Sequence, residues 1–294
     1  MKRFIKKSIL ILCLAVLMAF SFASESVSFL KGDINDDEKI DLSESVHALQ
    51  VVAGLKTSNM TKIINVPSDF PTIQEAINMA VAGDTINIVA GTYNEKLTIM
   101  KSNIKLQGAG RDSTIINGNS TTDPTISILN STGIEISDFL IKGGRYGIRL
   151  QYSSVSCKNN RIENNTKFGV RAFYNSFIEI GNTLIKLTDG GGISVDDGAV
   201  AWIDKSEITQ NTGRGLSATS AGFEVTECII TNNGENGIQS HDSSVRIYDS
   251  VISNNTGDGI DAWNGSRITL YGTEVKSNTD CGLMIGGHST AHLG

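Results

Sequence analysis

Oxygen-bearing side chains recur at regular positions in a short acidic segment near the N-terminus. They occupy positions 1, 3, 5, 9 and 12 of a loop that runs from residue 33 to residue 44, and they are Asp33, Asn35, Asp37, Asp41 and Glu44. Lys39, at position 7, would contribute its backbone carbonyl. Because Ca²⁺ prefers several oxygen ligands and a bidentate carboxylate at the end of such a loop, the spacing predicts a calcium site. Glu38 stands where these loops use glycine, so we expect weakened calcium binding; a solvated acidic loop without calcium is the alternative.

A second set of side chains capable of chemistry follows glycine–aliphatic pairs in the second half of the chain. If these segments are strands, residues two and four places after the glycine point to one outer face. The candidate catalytic residues on or beside that face are Arg149, Arg171, Asp196, Asp197, His241, Asp242 and Asp261. Phe173 and Trp263 are the candidate substrate-binding residues, since an exposed aromatic ring among polar groups suits stacking on a sugar.

Strand stacking predicts which of these residues are neighbours. With strands about 4.8 Å apart, Arg149 and Arg171 would be adjacent, and Asp196 would lie one coil beyond Arg171, close enough to pair with it. His241 would face Trp263 on the next coil. Scattered polar and aromatic residues are also ordinary on a solenoid surface, and that is the alternative interpretation.

The carboxylates could support hydrolysis only if two of them approach each other. Glycoside hydrolysis by two carboxylates needs them about 5–10 Å apart. Asp196 and Asp261 would be about 14 Å apart across three strand spacings, which is too far. Asp196 with Asp197, or Asp242 with Asp261 in the cluster of His241, could be nearer.

The element that would position these residues is a repeat. Seven glycines, each followed by an aliphatic residue, recur every 22 or 23 residues at Gly147, Gly169, Gly192, Gly215, Gly237, Gly259 and Gly282. Three short strands and their turns use about that many residues, so the period predicts one coil of a parallel β-solenoid in an all-β domain.

Columns of similar residues predict the interior of this solenoid. Two apolar stacks are expected, one through Ile162, Ile185, Ile208, Ile230, Ile252 and Val275, the other through Cys157, Ile180, Ile203, Val225, Ile247 and Leu270. A structural polar column at a turn is expected through Asn165, Asn211, Asn233, Asn255 and Asn278, interrupted by Thr188. A capping box at Thr72–Glu75 predicts a short amphipathic helix that covers the open first coil.

The N-terminus has the features of a secretory signal. Four basic residues precede an apolar run from Ile9 to Phe20 and small residues up to Ala23. The alternative is an uncleaved membrane anchor, but the run is shorter than the ~20 residues needed to span a bilayer. We therefore expect cleavage and a secreted or cell-surface protein, with no membrane span after cleavage.

The net charge of the mature chain limits the partners that it is expected to bind. Removal of the four basic residues changes the net charge from −6 to −10, which argues against non-specific binding of nucleic acid or anionic membranes. We expect a partner that is neutral, cationic or locally recognised.

Cys157, Cys228 and Cys281 would lie on different coils, so we expect free thiols.

Two segments resemble known families. The segment GDINDDEKIDLSESVHALQVVAGL resembles one calcium-binding repeat of a dockerin, with a helix predicted by the spacing of Leu42, Val46, Leu49, Val52 and Leu55. Dockerins carry two such repeats and bind cohesin modules on scaffolding proteins that hold polysaccharide-degrading enzymes together. The resemblance implies a cohesin-type partner; the single repeat leaves a structural calcium clip as the alternative.

The segment DFPTIQEAINMAVAGDTINIVAGTYNEKLTIMKSNIKLQGAG resembles the opening of the pectin lyase-like right-handed β-helix superfamily, pectinesterases in particular. The resemblance implies a right-handed solenoid and action on polysaccharides, by paired carboxylates in hydrolases or by an arginine base with calcium-holding aspartates in lyases. The pectinesterase and polygalacturonase motifs are absent. A pectate lyase motif is matched only in part, by Trp202-Ile203-Asp204-Lys205, and we assign this segment to a different sheet from that of the candidate catalytic residues.

These observations predict four regions: a signal peptide over 1–23, a dockerin-like calcium half-module over 24–57, a linker over 58–65, and a β-helix of about 22-residue coils over 66–294 that we expect to be incomplete at its C-terminus. The predicted function is binding of extracellular polysaccharide; if the protein is an enzyme, we expect a polysaccharide lyase or a glycoside hydrolase. A non-catalytic adhesion solenoid and a purely structural solenoid are the alternatives.

Overall fold

The computed structural model describes residues 61–294, together with residues 45, 46 and 49, which are helical. Val46 and Leu49 thus agree with the helix predicted there. The chain divides into two compact units, Met1–Asn59 and Met60–Gly294. The predicted signal peptide and calcium loop lie outside the described residues. No helix in the described part is long and apolar enough to cross a membrane.

The second unit consists of three parallel sheets that the chain visits in turn. Sheet A has eleven strands: β1 (Ile63–Val66), β2 (Thr85–Ile88), β5 (Lys105–Gly108), β8 (Ile134–Ser137), β11 (Ser154–Lys158), β14 (Phe177–Gly181), β17 (Val200–Asp204), β20 (Gly222–Thr226), β23 (Ser244–Tyr248), β26 (Arg267–Tyr271) and β29 (Thr290–Leu293). Sheet B has nine: β3 (Gly91–Tyr93), β6 (Thr114–Asn117), β9 (Leu140–Lys142), β12 (Arg161–Glu163), β15 (Leu184–Lys186), β18 (Glu207–Thr209), β21 (Ile229–Thr231), β24 (Val251–Ser253) and β27 (Glu274–Lys276). Sheet C also has nine: β4 (Leu97–Ile99), β7 (Ile126–Leu129), β10 (Tyr146–Gln151), β13 (Phe168–Phe173), β16 (Gly191–Asp196), β19 (Leu216–Thr219), β22 (Ile238–His241), β25 (Ile260–Trp263) and β28 (Leu283–Ile285).

Each strand pairs in parallel with the equivalent strand of the next coil. Ile148 pairs with Val170, and Val170 pairs with Ile193, so consecutive coils differ by 22 or 23 residues. This confirms the predicted β-solenoid and its period. The first strand, β1, begins at Ile63, inside the segment predicted as a linker over 58–65. The solenoid therefore starts earlier than predicted.

The interior is built from the two predicted stacks. Ile162 pairs with Ile185 in sheet B, and Cys157 pairs with Ile180 in sheet A, and all four side chains are fully buried. Both columns continue through the later coils to Val275 and Leu270. The core is therefore a set of aligned aliphatic columns rather than a single layer between two sheets.

The repeated glycine is required by close approach to the neighbouring sheet. A Cβ atom on Gly169 would lie 2.5 Å from the Cγ2 atom of Ile185 and 2.9 Å from the carbonyl oxygen of Gly192. Real side-chain contacts are not that short, so any other residue would push sheet C away from the interior column. The glycine that marks the repeat in the sequence is thus a packing requirement of the coil.

From Ile134 onward each coil turns three corners, and each corner has a residue in the left-handed region. In one coil these residues are Tyr152, Asn159 and Asn164, with φ values of 48°, 57° and 53°. Such values cost about 1 kcal/mol or more in a non-glycine residue. The corners are therefore strained unless other interactions stabilise them.

A buried polar side chain directly follows each of these left-handed residues in most coils and bonds to the preceding coil. At the corner between sheets C and A, the backbone N–H of one coil donates to a serine of the next, and the serines are Ser153, Ser176, Ser243, Ser266 and Ser289. At the corner between sheets A and B the acceptors are Thr183, Ser206, Cys228, Ser250 and Thr273. At the corner between sheets B and C they are the predicted asparagines, Asn165, Asn211, Asn233, Asn255 and Asn278.

These three corner ladders satisfy backbone N–H groups that are out of reach of water. An unpaired buried N–H group costs about 1–3 kcal/mol, which exceeds the strain of one left-handed residue. The asparagine column is confirmed as structural, and Thr188 interrupts it as predicted while still donating its N–H to Asn211. The corner ladders therefore hold consecutive coils in register.

The three cysteines of the described residues are free thiols. Cys157 and Cys228 are buried and Cys281 is exposed, and all three are free, as predicted. Burial raises the pKa of Cys157 to about 12 and that of Cys228 to about 11. Both thiols therefore stay protonated at neutral pH and serve as packing and ladder residues.

The predicted capping helix is present as α1 (Ile73–Met79). The Thr72 hydroxyl accepts a hydrogen bond from the Glu75 N–H, as a capping box requires. Glu95, from the following coil, accepts hydrogen bonds from the Ile73 and Gln74 N–H groups, each at 3.0 Å. Ile73, with Ala76 and Ile77, is buried toward the solenoid, so α1 covers the first coil.

Replacing Asn233 with alanine should destabilise the solenoid far more than replacing its neighbour. Asn233 Oδ1 accepts from the Asn211 backbone N–H at 3.2 Å, and its amide donates to the Ile208 carbonyl at 3.2 Å. We expect Asn233→Ala to lower the free energy of unfolding by about 3 kcal/mol, because a buried N–H loses its acceptor.

The matched control is Asn232→Ala, which changes the exposed left-handed residue of the same turn and should cost about 1 kcal/mol. Urea denaturation followed by circular dichroism measures both. Equal losses in the two variants would contradict the role assigned to the ladder.

Candidate functional site

The outer face of sheet C carries the side chains predicted to do chemistry. The strand register places one predicted column in order: Arg149, Arg171, Ser194, Ser217, Gln239, Asp261 and Met284. The neighbouring column includes Gln151 paired with Phe173, and Asp196, Thr219, His241 and Trp263 paired in sequence. The first column is therefore confirmed along its length at the level of the backbone, and the second over the pairs named here.

Arg149 and Arg171 lie side by side over two aromatic rings. The Cζ atoms of the two arginines are 5.1 and 5.0 Å from the centroid of the Phe173 ring, and Arg171 Cζ is 5.7 Å from that of Tyr146. Arg171 also donates a hydrogen bond to the Tyr146 hydroxyl at 3.0 Å. We call Tyr146, Arg149, Arg171 and Phe173 the arginine–aromatic cluster. Cation–π contacts of this kind hold the two like charges in neighbouring positions.

Asp196 neutralises one of the two arginines. Its Oδ2 atom lies 3.3 Å from Arg171 Nε, and Ser194 donates to the same oxygen at 2.9 Å. Arg171 Nε–H is buried without a hydrogen-bond partner, so this contact is an ion pair without a well-directed hydrogen bond. Partial burial alone would lower the pKa of Arg171, but the hydrogen bond to Tyr146 and the charge of Asp196 outweigh burial and raise it. Arg171 therefore remains a cation.

Arg149 has no such counter-charge. Its guanidinium donates to Gln151 Oε1 at 3.4 Å, and it forms no ion pair with a carboxylate in the described part of the chain. It is partly exposed. The arginine–aromatic cluster therefore presents a net positive charge at the surface, in a protein whose overall charge is negative.

Phe173 does not lie where a sugar could stack on it. It is only 6% exposed and is covered by both guanidinium groups. The prediction that it is a substrate-binding platform is therefore wrong, because the outward direction of its Cα–Cβ bond does not keep the ring open to solvent. Its place in the structure is to support the arginines.

Two exposed tyrosines at the adjacent corner were missed by the sequence analysis. The rings of Tyr152 and Tyr174 stack with centroids 5.4 Å apart, and Tyr174 also contacts Phe173 at 4.6 Å. Both tyrosines are left-handed corner residues. The signal that could have found them is an aromatic residue five places after Gly147 and after Gly169. They extend the cluster with two partly exposed aromatic rings.

Asp261 is buried rather than exposed on the face. Its Oδ2 atom accepts hydrogen bonds from the side-chain amides of Asn236 and Gln239, each at 3.1 Å, while Oδ1 is buried without a partner. No arginine or lysine pairs with it among residues 61–294. This leaves a buried carboxylate that is only partly satisfied, which is costly for stability.

The predicted cluster around His241 is only partly assembled. His241 pairs with Trp263 on the next coil, as predicted, and its Nε2 atom lies 2.7 Å from the Asn264 amide nitrogen. Asp242 turns to the corner, where it accepts from the Ser220 hydroxyl at 3.1 Å. Asp242 and Asp261 therefore have separate partners, and the register sets Asp261 opposite Gln239.

The bonded carboxylates of this face have separate partners. Asp197 is a left-handed corner residue, whereas Asp196 belongs to strand β16 and faces Arg171. Three strand spacings separate Asp196 from Asp261, which corresponds to about 14 Å. No group of three or more histidine, cysteine or acidic side chains within the described residues could hold a metal ion.

The family model for the right handed beta helix region matches residues 85–226 and 218–293. The chain belongs to this family. Membership agrees with the predicted right-handed solenoid, and it leaves the reaction open, since the β-helix is a scaffold that hosts many activities. Trp202 and Asp204 lie on sheet A, away from the arginine–aromatic cluster, as predicted.

Solved structures of several enzymes share this β-helix. An alginate lyase from Paenibacillus sp. str. FPU-7 matches with a TM-score of 0.57 and 14% identity, over 78% of this chain and 99% of that one. The pectate lyase Pel9A matches with a TM-score of 0.58 and 12% identity, over 79% of each chain. A pectin methylesterase from carrot matches with a TM-score of 0.52 and 15% identity, over 78% and 89%. No curated protein matches by sequence.

Replacing Asp261 with asparagine should stabilise the β-helix. The neutral amide keeps an acceptor for Asn236 and Gln239 and removes a buried charge that has no cation beside it. We expect a gain of about 1 kcal/mol, which corresponds to a rise in Tm of roughly 2–4 °C.

Differential scanning calorimetry at neutral pH checks this expectation. Asp196→Asn is the matched control, since it removes a carboxylate that does have a cationic partner and should lower Tm. A fall in Tm for Asp261→Asn would show that the charge is compensated.

Proposed function

We propose that the protein is secreted and binds an acidic polysaccharide at the arginine–aromatic cluster. The observation that carries this proposal is the pair of adjacent guanidinium groups over buried rings, of which Arg149 has no carboxylate partner in the described chain. A guanidinium fork matches a carboxylate or sulfate bidentately, and desolvation by the rings strengthens the contact. The site thus recognises an anion locally, despite the net charge of the chain.

The surroundings of the cluster suit a sugar chain rather than a lone anion. Tyr152 and Tyr174 offer two stacked, exposed rings beside the arginines, and the aliphatic face of a pyranose can rest on such rings. The neighbours named alginate lyase, pectate lyase and pectin methylesterase are consistent with a polysaccharide ligand.

Binding without catalysis is favoured by the state of the charged groups. A catalytic arginine base must lose its proton, whereas the pKa of Arg171 is raised. The carboxylates of the face are dispersed or individually bonded. The alternative is a polysaccharide lyase or glycoside hydrolase; ultraviolet-absorbing unsaturated products or new reducing ends from a polysaccharide panel would establish it.

Removing the unpaired arginine should weaken binding of an acidic ligand. We expect Arg149→Gln to reduce the affinity for polygalacturonate or alginate oligosaccharides about tenfold, which corresponds to about 1.4 kcal/mol, and Arg149→Lys to lose less, because charge remains without the fork. Isothermal titration calorimetry at low salt measures these affinities.

Arg214→Gln is the control, because Arg214 is already paired with Glu235 at 3.2 Å and should leave binding unchanged. If the wild-type protein binds and Arg149→Gln binds equally well, or if a neutral glucan competes equally, the cluster is not the binding site.

The N-terminal segment supplies the second half of the proposal. The loop from Asp33 to Glu44 is proposed to bind Ca²⁺, and residues 24–57 are proposed to attach the protein to a cohesin-type scaffold. The support is the ligand spacing and the dockerin resemblance, with one repeat instead of two.

Calcium titration of the full chain separates this from a solvated acidic loop. Calorimetry should show one site that is lost in Asp33→Ala and in Glu44→Ala, while Glu38→Gly should tighten binding several-fold, because glycine adopts the positive φ of position 6 at no cost. Identical isotherms for the wild type and Glu44→Ala would show that this loop does not bind Ca²⁺.

A further inference from the structure

A shallow trough lies on the outer face of sheet A, a different sheet from that of the arginine–aromatic cluster. It encloses about 690 Å³ and crosses strands β17, β20, β23 and β26. The residues that matter for its chemistry are Trp202, Gly222, Glu224, Asp242, Arg246 and Arg267. The sequence analysis assigned Trp202 to this sheet and gave it no further role.

The trough exists because small residues line up between larger ones. Val200 pairs with Gly222, Gly222 with Ser244, and Ser244 with Arg267, so glycine and serine form the floor. A Cβ atom on Gly222 would meet nothing closer than 3.5 Å. Glycine is therefore not required there by packing or by a positive φ, and its absent side chain leaves space above the sheet.

One wall of the trough is an indole held in a fixed orientation. Trp202 is 53% exposed, and its ring meets the Phe177 ring edge-on, with centroids 4.9 Å apart and planes at 89°. Trp202 pairs with Glu224, and Glu224 pairs with Arg246, which places charged groups beside the indole along the same wall. An exposed and positioned indole next to polar groups suits the aliphatic face of a sugar ring.

The charges that line the trough balance. Two carboxylates, Glu224 and Asp242, are matched by two guanidinium groups, Arg246 and Arg267. Glu224 and Arg246 lie 3.9 Å apart, while Arg267 forms no ion pair with any residue that the structure describes. Groups of both signs can accept from and donate to hydroxyls, which do both. A neutral ligand rich in hydroxyl groups fits such a lining better than an anion or a cation.

The backbone of the trough is not available to a ligand. Strands β17, β20, β23 and β26 are each paired on both sides within sheet A. A peptide therefore cannot join this part of the sheet as an extra strand, and recognition must use side chains.

We propose that this trough binds a neutral oligosaccharide, which runs along the solenoid axis across the four strands and stacks one ring on Trp202. The site is independent of the acidic ligand proposed for sheet C. It gives the protein two carbohydrate-binding faces of different charge preference.

Fluorescence of Trp202 tests the proposal directly. The chain has two tryptophans, so Trp263→Phe leaves Trp202 as the one indole reporter. Titration with cellohexaose, mannohexaose, xylohexaose and laminarihexaose should give a saturable change in its emission with at least one of them. No change with any of the four would overturn the proposal.

Two glycine variants distinguish filling of the trough from general damage. Gly222→Val adds bulk where no close contact prevents it and should weaken oligosaccharide binding at least tenfold. Gly181→Val is the matched control on the same sheet, because its Cβ would also meet its nearest neighbour, Lys158, at 3.5 Å, and it lies outside the trough. Equal affinities for Gly222→Val and the control would exclude the trough as the site.

Trp202→Ala, followed by calorimetry instead of fluorescence, should also lose at least tenfold in affinity. Sedimentation of the same proteins addresses the competing occupant, a second copy of this chain. Self-association that Trp202→Ala abolishes, without oligosaccharide binding by the wild type, would replace the proposal. Because the probes here are neutral and the ligand of sheet C is acidic, the two proposals can fail separately.

Discussion

The fold depends on hydrogen bonds that pair the backbone N–H groups at its corners. Each coil bends three times, and each bend places N–H groups where neither the sheets nor water can reach them. The side chain that accepts each hydrogen bond comes from the following coil, through serine at one corner, through small hydroxyl or thiol groups at the second, and through asparagine at the third. An unpaired buried N–H group costs about 1–3 kcal/mol, which exceeds the strain of the left-handed residue at the bend, so the ladders stabilise each corner by more than the bend costs.

In this arrangement the residues that stabilise the fold lie inside the solenoid and at its corners, and the candidate binding residues lie on its outer surface. The interior columns, the corner ladders and the close approach of Gly169 to Ile185 leave little freedom inside. The outward positions of sheets A and C are free to vary, because their side chains contribute little to closing the coil. Charge and aromatic rings can therefore gather on neighbouring coils without disturbing the interior, as they do around Arg171, where Tyr146, Phe173 and Asp196 come from three consecutive strands of sheet C.

Much of the scaffold was predictable because its constraints repeat. The spacing of glycines set the period, and the period placed Arg149 beside Arg171 and His241 beside Trp263. The serine ladder was not predictable in the same way, since serine is common everywhere and the left-handed residue before it varies. The burial of Phe173 and of Asp261 depends on which way neighbouring side chains fold over them, and column assignments do not contain that information. The trough was missed because it is defined by the side chain that Gly222 lacks.

The ladders also have a direction. In each corner ladder the backbone N–H of one coil donates to a side chain of the coil that follows it in the chain. A coil therefore keeps its corner N–H groups unpaired until the next coil has docked on it. The corner hydrogen bonds of each coil are therefore completed only when one further repeat has been added.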